Sequence, residues 1–204
     1  MDGSDSYRTI GKSGEGLYKE KGSKFIGKVV LVENEEMIKE ALETIRKEHH
    51  GARHHCYAWC MGVNRANFRI NDDGEPSGTA GRPIYNQILS ANLTNVLLAV
   101  TRYYGGTKLG ASGLANAYKT ASREAIANAK ISKRTINDYF LLEYDYPDTN
   151  DAMKLLHDDN IEQLQQDFEM KCKITFRIRK SKSAKLVEQI RKNNKLNLSY
   201  LKTE

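Results

Sequence analysis

The 204-residue sequence predicts an α+β fold in two domains, residues 1–137 and 138–204. Three observations lead there. Up to residue 137 the hydrophobic pattern runs strand, strand, helix, strand, strand, helix, strand, helix. From Asp138 the order becomes strand, helix, strand, strand, helix, strand, the split βαβ arrangement of a ferredoxin-like domain. The charge changes at the same place. Residues 1–137 hold twenty Lys and Arg against fourteen Asp and Glu, residues 138–204 hold twelve of each, and the whole net charge of +6 therefore lies in the first part.

The start, Met1 to Ser6, is polar and carries no expected element. Gly16 to Lys21 and Lys24 to Val32 read as strands joined at Gly22-Ser23, and Met37, Ile38, Ala41, Leu42 and Ile45 then fall on one helical face. His54 to Gly62 and Ala66 to Ile70 form a hairpin turning at Val63 to Arg65. Gly74 to Gly81 is loop, and Arg82-Pro83 opens a short helix carrying Ile84, Ile88 and Leu89. A buried strand, Asn95 to Val100, leads into a Gly-rich turn and a helix from Ser112 to Ala129. The dense alanines of that helix let it sit close on the sheet.

In the second domain the expected elements are Tyr139 to Tyr144, Asp148 to Asp158, Ile161 to Asp167, Met170 to Arg179, Ser183 to Asn193 and Leu196 to Leu201. Along the fourth, Met170, Cys172, Ile174, Phe176 and Ile178 are expected to face the core, and Lys171, Lys173, Thr175, Arg177 and Arg179 to face outward. No aromatic pair of the kind that stacks bases accompanies them, so that face reads as solvated.

The most informative stretch is VTRYYGGTKLGASGLANAY, Val100 to Tyr118. A strand running through a Gly-rich turn into a helix offers backbone N–H groups and a helix N-terminus to an anion, and Arg102 and Lys108 add two cations. No Gly-Lys-Ser/Thr closes the turn, so it is not a P-loop. Glycines permitting φ > 0, with Thr107 or Ser112 as N-cap, are the structural alternative. Arg102, Tyr103, Tyr104 and Lys108 crowded beside the turn favour binding. The stretch Arg53 to Arg134 supports this with eleven bases against four acids.

Together with DDGEPSGTAGRPI (Asp72 to Ile84), KGSKFIG (Lys21 to Gly27) and HHCYAW (His54 to Trp59), this stretch closely resembles the signature of the IMPACT (YigZ-type) family, over roughly the first two-thirds of the chain. The resemblance implies a connection to translation. It also implies an N-terminal domain with the fold shared by a small-subunit ribosomal protein and domain four of elongation factor G, followed by a variable C-terminal domain. Eukaryotic members regulate a kinase-controlled translation response through an additional N-terminal domain. No room for it is seen before Gly16, so the bacterial stand-alone form is the expectation.

Asp72, Asp73 and Glu75 form an acidic loop. They lack EF-hand spacing, and a turn at Asp73-Gly74 explains them without a cation; folded near Arg102 they would make a mixed-charge cleft. His49, His50, His54, His55, Cys56 and Cys60 invite zinc, yet on a strand Cys56 and Cys60 stand about 13 Å apart, too far to share an ion. No Gly-x-Ser-x-Gly elbow, HExxH or Cys-x-x-Cys is present, so enzyme signals are weak and neither cofactor nor metal is expected. Three cysteines, no basic-then-apolar leader and no long apolar run place the chain in the cytoplasm, off the membrane.

The expected function is a non-enzymatic, translation-associated regulator whose N-terminal domain binds RNA or a ribosome-associated partner. Its binding set comprises Arg53, His54, Arg82, Arg102, Tyr103, Tyr104, Gly105, Gly106, Lys108 and Ser112, with Asp72, Asp73 and Glu75 beside them. The competing reading is an enzyme acting on a small phosphorylated or peptide substrate in the same cleft.

Overall fold

A computed structural model describes residues 5–157, 161–168 and 171–204. The chain is mixed α and β and divides into two compact units, one of Arg8–Arg134 and one of Thr135–Glu204 together with residues 5–7.

In the first unit, β2 (Gly14–Glu20), β3 (Ser23–Leu31), β4 (His54–Met61), β5 (Asn67–Asn71) and β6 (Val96–Tyr103) form one antiparallel sheet in the order β2-β3-β6-β4-β5. Alternation along β4 and β6 separates two cores. Tyr57, Trp59, Met61, Leu97 and Ala99 pack with Ile38, Leu42 and Ile45 of α1 (Glu35–Glu48). Cys56, Ala58, Cys60, Leu98 and Val100 pack with Ile84 and Ile88 of α2 (Gly81–Ser90) and with Leu114, Tyr118 and Ala121 of α3 (Gly110–Ala127). On that second face α3 lies so near β3 that a Cβ at Gly27 would stand 2.6 Å from the Ala121 carbonyl oxygen, so any side chain there would push the helix off.

Several boundaries differ from expectation. β6 continues through Arg102 and Tyr103, beyond the expected end at Val100. Thr101 and Arg102 are buried because they pair on both sides, Arg102 with Phe25 of β3 and with His54 of β4. α3 begins at Gly110, and its N-cap is Leu109 with no side-chain bond, not Thr107 or Ser112. Two strands carried no expectation, β1 (Ser6–Lys12) and β7 (Lys130–Thr135), and they pair with each other.

The second unit has the element order β8 (Asn137–Tyr144), a short 3-10 turn at Tyr146–Asp148, α4 (Thr149–Leu156), β9 (Ile161–Phe168), β10 (Cys172–Arg179), α5 (Lys180–Arg191) and β11 (Asn197–Thr203). Its antiparallel sheet runs β11-β8-β10-β9. Asp158 and Met170, the expected ends of a helix and a strand, lie outside the described residues. The core joins Phe140, Leu142, Ile174, Phe176, Leu186 and Ile190. On the outward face of β10 the cations are paired: Lys173 with Glu143 (3.5 Å), Arg177 with Glu162 (2.6 Å) and Arg179 with Asp5 (3.3 Å).

Candidate functional site

The acidic loop is built by Asp72. Its carboxylate accepts backbone N–H bonds from Gly78 (2.9 Å), Ala80 (3.0 Å) and Gly81 (2.8 Å), which folds the loop back and caps α2. Burial raises its pKa, but the three N–H groups outweigh this and hold the carboxyl below its ordinary value. Asp73, with φ +41°, accepts the backbone N–H of His55 on its carboxylate (2.7 Å) and the Nδ1–H of His54 on its carbonyl (2.8 Å), fixing that ring's tautomer.

Glu75 is thereby delivered against the sheet. Its Oε1 accepts from Arg102 Nη1 (2.7 Å) and from the Tyr118 hydroxyl (2.8 Å), and the Glu75 and Arg102 side chains are only 4% and 7% exposed. The Arg102 guanidinium lies 5.4 Å from both the Phe25 and the Tyr104 ring centroids. Its Nε is buried without a hydrogen-bond partner among the described residues. Cys56 Sγ sits 3.0 Å from the Asp72 carbonyl and 3.3 Å from the Tyr118 hydroxyl. Burial pushes this thiol up to about 12, against the lowering effect of the Tyr118 bond. The Tyr118 phenol is also raised, by burial first and then by its Cys56 and Glu75 neighbours.

The mixed-charge cleft is thus a closed cluster. Arg102 is neutralised by Glu75 and nearly buried, so it holds the loop on the sheet. Tyr103 takes the opposite face by strand alternation, and its hydroxyl lies 3.1 Å from His49 Nδ1. His54 is half-buried against Asp73. Among the described residues no three of His, Cys, Asp and Glu are grouped to hold a metal.

The structure leaves the turn beyond Arg102 facing solvent. Tyr104, Gly105, Gly106, Thr107, Lys108, Gly110, Ala111 and Ser112 are all exposed, and the first N–H groups of α3 have no side-chain cap. The turn is locked to the β2–β3 connection. Gly105 N donates to Ser23 Oγ (3.1 Å), and a Cβ at Gly105 would fall 1.9 Å from the Gly22 carbonyl carbon. That contact brings Lys21 and Lys24 into the same neighbourhood, Lys24 directly opposite Tyr103, while Arg53 immediately precedes His54, the cross-strand partner of Arg102. Lys21, Lys24, Arg53 and Lys108 are exposed and make no ion pair among the described residues. Arg82 is exposed on the first turn of α2, and no hydrogen bond or ion pair among the described residues ties it to this turn.

Sequence reasoning missed Tyr118 and Cys56, which read as core, and Lys21, Lys24 and Ser23, whose only signal was that KGSKFIG formed a motif.

Sheet, acidic loop and Gly-rich turn together define an Impact-type domain. The Impact N-terminal domain model matches residues 21–126, a span that includes every residue from Lys21 to Ser112, and the chain belongs to the IMPACT family. It is 36% identical over 141 residues to YvyE of Bacillus subtilis and 35% identical over 128 residues to YigZ of Escherichia coli, both IMPACT family members. Those alignments cover 69% and 62% of this chain, and 65% and 63% of the relatives, so the chain spans just under two thirds of their length. A Haemophilus influenzae member is 32% identical, with 73% of each chain covered. The crystal structure of a hypothetical protein, 26% identical, superposes with a TM-score of 0.75 over 97% of this chain and 98% of that one.

Proposed function

We propose that this chain is a cytoplasmic translation-associated regulator that acts by binding rather than catalysis. Its N-terminal domain, residues 1–137, holds a phosphate-bearing polyanion, RNA or a ribosome-associated partner, at the Gly105–Ser112 turn. Family membership supports the link to translation. Family resemblance also supports reading the N-terminal domain as the fold of a small-subunit ribosomal protein and elongation factor G domain four. The strand order β11-β8-β10-β9 favours a ferredoxin-like reading of residues 138–204.

The observation that carries the binding site is the start of α3, without a side-chain cap, beside four exposed cations that make no ion pair among the described residues. Backbone N–H groups and Lys108 meet the phosphate, and Lys21, Lys24 and Arg53 extend the positive field beside the Tyr104 ring that packs on Arg102. The competing enzyme reading requires Asp72, Asp73 and Glu75 as metal or acid–base groups. Each of these carboxylates already accepts hydrogen bonds from the protein itself.

Anisotropy titration of labelled single-stranded RNA across a salt series tests the reading. Replacing Lys21 and Lys108 with Ala should weaken binding and lower the slope of log K against log salt by about 1.4, at about 0.7 per phosphate contact. An unchanged slope in a folded double variant would refute it.

A further inference from the structure

A second feature of the first unit lies at the far edge of its sheet. β5 is an edge strand. Phe68 on it stacks on Tyr85 of α2, with centroids 4.8 Å apart and planes at 17°. Tyr85 is buried at 6% exposure, but Phe68 is 47% exposed, so one ring of the stack is backed by the core while the other turns outward. Arg82, Tyr85 and the exposed Leu89 follow one another along α2 at helical spacing.

The surroundings are cationic. Burial raises the Tyr85 phenol and Cys60 adds to this, while Arg65 and Arg82 both lie near enough to oppose it. Arg65 donates to Asn92 Oδ1, and its Nε is buried with no partner among the described residues. Between residues 49 and 123 the only carboxylates are Asp72, Asp73 and Glu75, all folded into the acidic loop. No acid of these elements neutralises Arg65 or Arg82.

We propose that the outward face of Phe68 is a stacking platform for an unpaired base of single-stranded nucleic acid, with Arg65 and Arg82 taking the neighbouring phosphates. The inference rests on the reading of the partner as a nucleic acid and adds a contact to bases, which the Gly105–Ser112 turn does not supply. A ring stacked on Tyr85, cations without counter-charge among the described residues and an edge strand match the two needs of a single strand, a π surface and a positive track. A protein partner seated through apolar contact would be opposed by the same cations, which meet no carboxylate among the described residues.

The test compares oligouridylate of about ten nucleotides with an abasic strand of equal length and charge, both titrated against the whole chain. Wild type should prefer the base-bearing strand by about tenfold, in keeping with the energy of one base–aromatic stack. Phe68→Leu, which keeps an apolar cover over Tyr85, should lose that preference while still binding the abasic strand. Arg82→Gln should weaken both strands equally. No discrimination by wild type, or discrimination that survives Phe68→Leu, overturns the platform and leaves the Gly-rich turn untouched, with a protein partner as the occupant of Phe68. Failure to bind either strand removes both this inference and the polyanion reading.

Discussion

Replacing Glu75 with Leu removes the counter-charge of a nearly dry guanidinium. Arg102 keeps its burial and its unpartnered Nε, and the Tyr118 hydroxyl loses its acceptor in the same step. Leaving one member of a buried ion pair alone costs about 3–5 kcal/mol, and an orphaned buried hydroxyl about 1–3 kcal/mol. Because both losses fall on one carboxylate they do not add fully, and the expected total is about 4 kcal/mol. The double variant Glu75→Leu/Arg102→Met removes both charges and leaves only the hydroxyl unsatisfied, so it should recover all but about 1–2 kcal/mol. Trp59 makes the measurement selective, since it is the only tryptophan of the chain and lies buried in β4, within the affected unit. With a urea slope of about 2 kcal/mol per molar, the fluorescence midpoint should fall by about 2 M in the single variant and by less than about 1 M in the double. A single variant shifted by less than about 0.5 M, or a double no better than the single, would show that the pair does not hold the loop.

Further expectations follow from the same geometry. Gly105→Ala should destabilise by at least about 3 kcal/mol because its methyl meets the Gly22 backbone, whereas Gly106→Ala, at φ +88° with open space around it, should cost only about 1–2 kcal/mol; equal effects in urea melts would contradict the close approach. His55 is held below its usual 6.5 by burial, despite the His49 carbonyl and Asp73 acting in the opposite direction. The unfolded chain therefore takes the proton first, so stability is full above pH 6.5 and falls as pH drops through 6.5 toward the folded value. His55→Gln should flatten that part of the Trp59-monitored profile. The fully buried thiols of Cys56, Cys60 and Cys172 should not react with a thiol-exchange reagent until the chain unfolds, and rapid labelling of native protein would contradict their placement.

What the sequence made legible was local. Met37, Ile38, Leu42 and Ile45 announce α1 by spacing alone, and the run Val96 to Val100 announces a buried strand. The run stops where polar residues begin, so it marks the strand only as far as Val100. Thr101 and Arg102 are in the strand because β3 and β4 flank them, a fact no window of neighbours contains. β1 and β7, with SYRTIGK and KISKRT, lack an apolar signature for the same reason, since each is defined by the other across more than a hundred residues. In the site, the acidic loop and the Gly-rich turn stood out by composition. That Arg102 faces Glu75 depended on folding across 27 residues. Tyr118, on the apolar stripe of α3, shows its role only through the position of its hydroxyl.

The most direct measurement is amide hydrogen exchange of the whole chain with and without saturating single-stranded RNA. Slowed exchange is expected at residues 21–24 and 105–113, where backbone N–H groups and lysines meet the phosphates, with little change across β8 to β11. Protection confined to residues 138–204, or none at the Gly-rich turn under conditions where RNA is bound, would contradict it.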